Sequence, residues 1–204
     1  GFPHREALGE YRQAVTAQPN FDEAWHQRGL ILIHVGHLDH GLRDLERAVN
    51  INPANTLARF RIGVAKLYQR KYEEALANFD RVPRQFQPAL RSYQRTWALI
   101  SLGREDEAAR ELTQGLAETP GDTGGVLHST RAMMRAKSGD RRGAEADIAQ
   151  AVKAGKGFGH FHHTAYSIAS VYSLLGDMDK AQEWIENAAG DGFPNYSLFE
   201  TDPN

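Results

Sequence analysis

Small and apolar residues recur along this chain at a fixed spacing. A small residue is followed by an apolar residue four positions later and by another small or short apolar residue three positions after that, as in Ala75, Phe79 and Val82. Spacings of four and three place such side chains on one face of a helix. Six such triplets begin 34, 34, 33, 36 and 37 residues apart, at Ala7, Gly41, Ala75, Ala108, Ala144 and Ala181. The pattern therefore predicts a repeated helix whose small face lets a second helix approach closely.

Turn residues follow the same period. Five positions before the small residue that opens a triplet, four of the repeats carry a glycine: Gly36, Gly103, Gly139 and Gly176. A tight turn between two helices needs a residue that tolerates positive φ, and glycine does so most readily. Arg70 occupies this position in the remaining full repeat. Prolines at Pro19, Pro53 and Pro120 mark the turn that follows the triplet helix, because proline cannot continue a helix. Each repeat is thus predicted to be helix A, a turn, helix B and a second turn.

This arrangement resembles the tetratricopeptide repeat, whose signature places Trp, Leu-Gly, Tyr, Ala, Phe, Ala and Pro along a helix pair. The best matching unit carries Trp25, Gly29, Leu32, Gly36, Gly41, Leu45, Ala48 and Pro53. The next unit keeps Ile62, Gly63, Tyr72, Ala75 and Phe79. The resemblance implies an all-α fold, a right-handed superhelical solenoid of antiparallel helix pairs. The tail at 192–204 also resembles the segment that closes repeat arrays in bacterial multidomain signalling proteins, and residues 162–170 resemble the start of the last repeat in that group.

We predict a single array over residues 1–204. It starts with helix B of a partial first repeat at 1–19 and continues with five full repeats at 22–53, 55–87, 88–120, 123–156 and 161–190, followed by a tail at 191–204. Helix B of the partial repeat is expected at about 2–17. The glycine-rich stretches at 121–125 and 155–159 are interpreted as lengthened loops between repeats.

Composition narrows the classes of function. The chain is 41% hydrophobic and 25% charged, which is typical of a folded globular protein. Its formal net charge is −2, so it has no general attraction for phosphate backbones or anionic membranes. It contains no cysteine, which excludes disulfides and thiolate metal sites. No apolar run approaches the roughly 20 residues of a membrane helix. The chain starts without Met and inside a repeat, so we expect an upstream natural N-terminus; the cytoplasm is the expected compartment and the periplasm stays open.

The resemblance implies that the A helices line a concave groove that binds a partner protein or peptide. At the groove positions of the family, the candidate binding residues are His26, Leu30, Phe60, Val64, Tyr68, Tyr93, Trp97, Met133, Lys137 and Tyr166. Family members that grip acidic peptide termini use several Lys and Asn residues there, and here only Lys137 fits that chemistry. The middle of the groove is aromatic and aliphatic instead, which favours an apolar or amphipathic peptide with Trp97 as an anchor. The alternative is that such side chains pack as core, because core and binding stripes share one period.

Three other interpretations stay open. The histidine clusters His34, His37, His40 and His160, His162, His163 have the ligand chemistry of a metal site, with Asp39 the only nearby carboxylate. Arginines interleaved with aromatic residues could hold a nucleic-acid single strand: Arg81, Arg84, Arg91 and Arg95 beside Phe86, Tyr93 and Trp97. The N-terminal helix, which lacks its A partner, could instead mediate self-association.

Sequence signatures of catalysis are absent. No Gly-x-Ser-x-Gly, Walker loop, His-Glu-x-x-His or dinucleotide fingerprint occurs. The acidic pairs and triplets, such as residues 105–107, open B helices and favour the positive end of the helix dipole. We therefore expect a binding protein without a cofactor and not an enzyme.

Overall fold

A computed structural model describes residues 4–155 and 157–190 of the chain. These residues form helices joined by turns: α1 (His4–Ala17), α2 (Asp22–His34), α3 (Leu38–Ile51), α4 (Thr56–Tyr68), α5 (Tyr72–Asp80), α6 (Pro88–Ser101), α7 (Glu105–Glu118), α8 (Val126–Lys137), α9 (Arg141–Gly155), α10 (His162–Leu174) and α11 (Met178–Gly190). The even-numbered helices are A helices and the odd-numbered ones are B helices. The predicted all-α class is therefore confirmed.

The helices belong to two compact units. Unit 1 contains α1 to α5 and ends at Pro83, and unit 2 starts at Arg84 and contains α6 to α11. The expectation of a single array, with its repeat boundaries, stays a prediction. The predicted tail at 191–204, the first residues of the partial repeat and Lys156 lie outside the described residues. Within the described part, no helix has the length and apolar character needed to cross a membrane.

The two helices of a pair run antiparallel and touch through small residues. In the pair α2/α3, a Cβ atom added to Gly29 would lie 2.8 Å from Leu45 Cγ, and one added to Gly41 would lie 2.5 Å from Ile33 Cγ2. Residues 29 and 33 thus face residues 45 and 41, which is the order of an antiparallel pair. The small residues of the sequence pattern therefore allow the predicted close approach of the two helices, because a side chain at either glycine would push the helices apart.

The turns inside the pairs share one geometry, and it confirms the positive φ that the glycine pattern predicted. φ is +84° at Gly36, +71° at Gly103, +81° at Gly139 and +77° at Gly176. Arg70, which replaces glycine in the same position, also adopts a left-handed φ of +61°. In each turn the next amide donates to the carbonyl five residues back, as from His37 to Leu32 and from Lys71 to Lys66. This 6→1 bond is the mark of a Schellman motif, which satisfies a carbonyl that the helix end leaves open.

The glycine-rich loop at 121–125 makes specific contacts with the helices beside it. Asp122 is fully buried, and its carboxylate accepts hydrogen bonds from the backbone amides of Leu127 (3.1 Å) and His128 (2.9 Å) at the start of α8. A Cβ atom at Gly125 would lie 2.2 Å from the carbonyl oxygen of Ala151 on α9. The loop therefore caps α8 and holds the start of α8 against the C-terminal part of α9. Only a glycine at position 125 allows this close approach.

Candidate functional site

Unit 1 holds five of the ten predicted groove residues, on α2 and α4. Phe60 and Val64 on α4 are 0% and 2% exposed. The ring of Phe60 packs against Phe79 of α5, with centroids 5.6 Å apart. Side chains so buried offer no surface to a ligand in this conformation. The structure therefore favours the core interpretation for Phe60 and Val64, whereas Leu30 and Tyr68 keep part of their surface exposed.

His26 on α2 is also completely buried. Its Nδ1 lies 3.4 Å from Glu23 Oε1, but neither ring nitrogen makes a hydrogen bond within the described ranges. Burial lowers the pKa of His26 below its ordinary value of 6.5, and the carboxylate of Glu23 offsets part of this effect. His26 is therefore a neutral imidazole at neutral pH.

Arg61 on α4 was not among the predicted site residues. It follows Phe60 directly, and its guanidinium carbon lies over the Phe60 ring, 5.5 Å from the centroid. Its Nε atom is buried and has no acceptor in the described part of the chain. Burial lowers the pKa of this guanidinium, and Tyr68 raises it by a smaller amount. Arg61 lies in the sequence between two predicted groove residues, Phe60 and Val64, and this was the signal that could have indicated it. The groove positions of the family do not include position 61.

Unit 2 brings three predicted residues together in an aromatic cluster. The ring of Trp97 on α6 lies 6.3 Å from that of Tyr93 in an edge-on arrangement. Trp97 also stacks on Tyr166 of α10, with ring centroids 6.2 Å apart and an interplanar angle of 29°. Tyr93 in turn lies 6.3 Å from His163 of α10. Because α8 packs against both α6 and α10, these side chains meet across the A helix that lies between their own helices. We call Tyr93, Trp97, His163 and Tyr166 the aromatic bridge.

Trp97 differs from its neighbours in the aromatic bridge. Tyr93 and Tyr166 are each 5% exposed, whereas Trp97 keeps more of its surface. The indole packs against both apolar cores of unit 2. Its Nε1 donor is buried and has no acceptor among the described residues. An indole N–H that is shielded from water usually finds a partner. Trp97 is an exception, because its donor has no acceptor among the described residues although its ring is partly exposed.

The two predicted residues of α8 have different environments. Met133 is 1% exposed and belongs to the core that α8, α9 and α10 share. Lys137 is exposed at the end of the helix, and its Nζ lies 3.7 Å from Glu105 Oε1 on α7. Met133 is therefore core, and Lys137 already has an acidic neighbour, although so exposed a pair contributes little.

Three of the four arginines considered for nucleic-acid binding face carboxylates, whereas Arg81 is exposed. In unit 2, Arg84 Nε lies 2.7 Å from Glu118 Oε1, and Arg95 Nε lies 3.1 Å from Glu111 Oε2. Arg91 is only 7% exposed, with Nη1 3.7 Å from Glu111 Oε1. The Arg84 guanidinium lowers the pKa of Glu118. These three arginines are thus directed into the protein and are partly neutralised.

One ion pair recurs at the same place in three repeats, and the sequence analysis missed it. An arginine of helix A pairs with a carboxylate sixteen residues later on helix B: Arg28 with Asp44, Arg95 with Glu111 and Arg131 with Asp147. Two of these pairs are bidentate, with N–O distances of 2.6 and 2.8 Å for Arg28 and 2.9 and 2.7 Å for Arg131. The spacing of sixteen, repeated at the period of the helix pairs, was a readable signal. The pairs tie helix A to helix B, which is a structural role.

The histidine clusters do not all stay together. The rings of His37 and His40 lie 6.3 Å apart at the start of α3. In unit 2, the rings of His160 and His162 are 5.5 Å apart and those of His162 and His163 are 4.4 Å apart. His162 and His163 are buried, at 4% and 6% exposure. The structure thus gathers the second cluster at the start of α10, while metal binding stays a hypothesis.

Comparisons with known proteins agree with this helix-pair architecture. The family model of the tetratricopeptide repeat matches residues 22–55 and 162–190, which contain the pairs α2/α3 and α10/α11. A 75-residue segment is 27% identical to Hsp70-Hsp90 organizing protein 3 of Arabidopsis thaliana, covering 37% of this chain and 13% of that protein. The chain thus matches a small part of this curated relative.

Solved structures share the fold over nearly the whole chain. A tetratricopeptide repeat protein from Parabacteroides merdae ATCC 43184 has a TM-score of 0.73 at 18% identity, covering 97% of this chain and 76% of its own. YrrB, a tetratricopeptide repeat protein with an unusual peptide-binding site, has a TM-score of 0.55 at 18% identity, covering 92% of this chain and 94% of its own. The matched segments 22–55 and 162–190 are thus tetratricopeptide repeats, and the solved structures share the all-α solenoid fold of helix pairs.

Proposed function

We propose that this chain is a protein-interaction scaffold and that unit 2 holds an apolar or amphipathic peptide of a partner against the aromatic bridge. The observation that carries the proposal is Trp97, whose partly exposed indole stacks on Tyr166 of α10 and whose buried N–H has no acceptor among the described residues. Repeat arrays of this kind bind partners on extended surfaces. YrrB is described as having a peptide-binding site, and the matched relatives are organizing proteins of Hsp70 and Hsp90. Both likenesses support a peptide or protein as the partner.

The chemistry of the aromatic bridge sets what the peptide must offer. A tryptophan or tyrosine in a largely dry setting contributes strongly to affinity, and such residues are enriched among binding hot spots. The indole N–H calls for an acceptor, and the backbone carbonyl of an extended or helical peptide end provides one. Lys137 is the only cation of the predicted groove set in unit 2, and it already lies beside Glu105. An apolar peptide therefore fits this surface better than an acidic one.

The test starts from peptides selected on the full chain from a random library. Binding is then followed by the fluorescence of Trp97 in a Trp25→Phe/Trp184→Phe background, which leaves Trp97 as the single tryptophan. In the chain with all three tryptophans, Trp97→Ala should weaken binding of the selected peptides about 30-fold, because hot-spot aromatics cost about 2 kcal/mol when truncated. Trp97→Phe keeps a ring but removes the donor, so its loss should be smaller and should measure the hydrogen bond.

The matched control is Val152→Ala, which removes an apolar side chain that is 37% exposed on B helix α9 of the same unit. This variant should bind with unchanged affinity. Each variant must keep the helical circular dichroism signal and a cooperative melt, since Trp97 also packs on the core. Selected peptides that bind well-folded Trp97→Ala as tightly as the wild-type chain would refute the site.

A further inference from the structure

Unit 1 contains a cavity of about 340 Å³ on the side formed by its B helices α1 and α3. Its lining comes from three helices: Leu8 and Arg12 of α1, Arg28 and Leu32 of α2, and His40, Arg43 and Asp44 of α3. None of these residues belongs to the predicted groove. The volume lies at the lower end of the range for small-molecule sites, so it suits a single side chain or a small ligand.

The charges in this cavity do not balance. Asp44 is the only carboxylate of the lining, and it is 6% exposed and bound in a bidentate pair to Arg28, at 2.6 and 2.8 Å. Arg12 and Arg43 are exposed at the rim, and neither has an ion pair or side-chain hydrogen bond in the described ranges 4–155 and 157–190. Two guanidinium groups, one on α1 and one on α3, therefore have no counter-ion among the described residues.

The other lining residues supply no carboxylate that would offset this excess. His40 adds an imidazole to the same wall as Arg43. Asp39, which precedes His40 in the sequence, does not line the cavity. Its carboxylate accepts a hydrogen bond from Gln69 beyond the end of α4, 2.7 Å away. Leu8 and Leu32 provide the apolar part of the lining. The cavity thus combines an apolar wall with a rim of two unpaired arginines.

We propose that this cavity binds a phosphate monoester carried on a short apolar or aromatic stem. Planar guanidinium groups match the oxygens of phosphate in a bidentate geometry. A dianion neutralises both rim arginines at once, whereas a carboxylate neutralises one. The leucines contact the stem, and the neutral Arg28–Asp44 pair forms the polar floor. This site lies on other helices than the aromatic bridge and does not depend on the peptide proposal.

Calorimetric titration of the full chain with phenyl phosphate at low salt tests the proposal. We expect saturable binding in the millimolar range, roughly tenfold tighter than inorganic phosphate because the ring buries apolar surface. Arg12→Gln and Arg43→Gln should each weaken binding at least tenfold. Arg47→Gln is the matched control, because Arg47 is an exposed arginine of the same helix α3 that does not line the cavity; its affinity should be unchanged.

The outcomes separate the ligand classes. Benzoate carries the same ring with a single charge, and an affinity equal to that of phenyl phosphate would overturn the assignment to a dianion. Absence of saturable binding, or an equal loss in Arg47→Gln, would overturn the site itself. A phosphotyrosine peptide that binds more tightly than phenyl phosphate, with its unphosphorylated form inactive, assigns the cavity to a phosphorylated partner. Binding of phenyl phosphate without any gain from the peptide assigns it to a small phosphate ester.

Discussion

Arg70 should be replaceable by glycine with a gain in stability. It is one of five residues that occupy the same turn position, and the other four are glycines with φ between +71° and +84°. Arg70 adopts φ of +61°, where the Cβ of an L-residue approaches the following carbonyl oxygen at a cost of about 1–2 kcal/mol. The Schellman bond from Lys71 to Lys66 fixes this conformation. This hydrogen bond therefore maintains the backbone strain at Arg70, and a glycine at this position would remove the strain.

The magnitude follows from three contributions. Glycine recovers about 1–2 kcal/mol of backbone strain but loses about 0.5–1 kcal/mol through the greater freedom of the unfolded chain. The side chain contributes one exposed hydrogen bond, from Arg70 Nε to the Tyr72 hydroxyl at 3.2 Å, which is worth at most about 0.5 kcal/mol. Arg70→Gly should therefore raise the free energy of unfolding of unit 1 by roughly 0.5 kcal/mol.

Urea denaturation followed by circular dichroism measures this gain. With a slope of about 1–3 kcal/mol per molar urea, the midpoint should rise by roughly 0.2–0.5 M. Arg70→Ala is the control, since it loses the side chain but keeps the strain and should give no gain. The reverse change, Gly139→Ala, should cost about 0.5–1 kcal/mol, and its added Cβ meets no atom within 4 Å. An Arg70→Gly midpoint no higher than that of Arg70→Ala would refute the reasoning.

Three further predictions concern the buried groups. Asp147→Asn should lower stability by about 2 kcal/mol, because its carboxylate is 3% exposed and holds Arg131 at 2.7 Å; thermal melts should show no comparable loss for the exposed Glu145→Gln. Stability should fall as pH drops below 6.5, the ordinary pKa of histidine, since the unfolded chain protonates His26 while burial keeps its folded pKa lower; His26→Gln should flatten that profile, and an unchanged profile would contradict it. Gly41→Ala should destabilise unit 1 by about 1–3 kcal/mol, seen as a lower urea midpoint, because the new Cβ would lie 2.5 Å from Ile33.

The sequence predicted the parts of the fold that repeat. The small residues at Gly41 and its equivalents marked the helix contact, and the residue five positions earlier marked the turn, including the left-handed Arg70. Both signals are local and recur at the same period, so each repeat supports the next. The bounds of α1 differ little from the expected helix at about 2–17, since α1 starts at His4 where the described residues begin.

The sequence could not predict which apolar side chains of the A helices reach the surface. Phe60, Met133 and Trp97 are all predicted groove residues of A helices, but of these three only Trp97 is partly exposed. The difference depends on what packs above each side chain, such as Phe79 over Phe60, and this is a long-range property. The Arg–carboxylate pairs at a spacing of sixteen were within reach of a periodicity search that included charged residues. The capping of α8 by the buried Asp122 could not be predicted either, because it depends on the backbone geometry of a turn that the residue types do not indicate.

Under the proposed function, the aromatic bridge sets a modest energetic threshold for peptide binding on unit 2. An aromatic pair contributes about 0.5–1.5 kcal/mol beyond the burial of its surface, and the Trp97–Tyr166 stack is such a pair. A peptide that inserts beside Trp97 has to replace this contact. Its own aromatic anchor and an acceptor for the indole N–H together contribute more than that, since a single hot-spot residue is worth about 2 kcal/mol or more. If the proposed function holds, the bridge should discriminate against peptides that lack a large apolar anchor, because only an anchored peptide gains more than the stack provides.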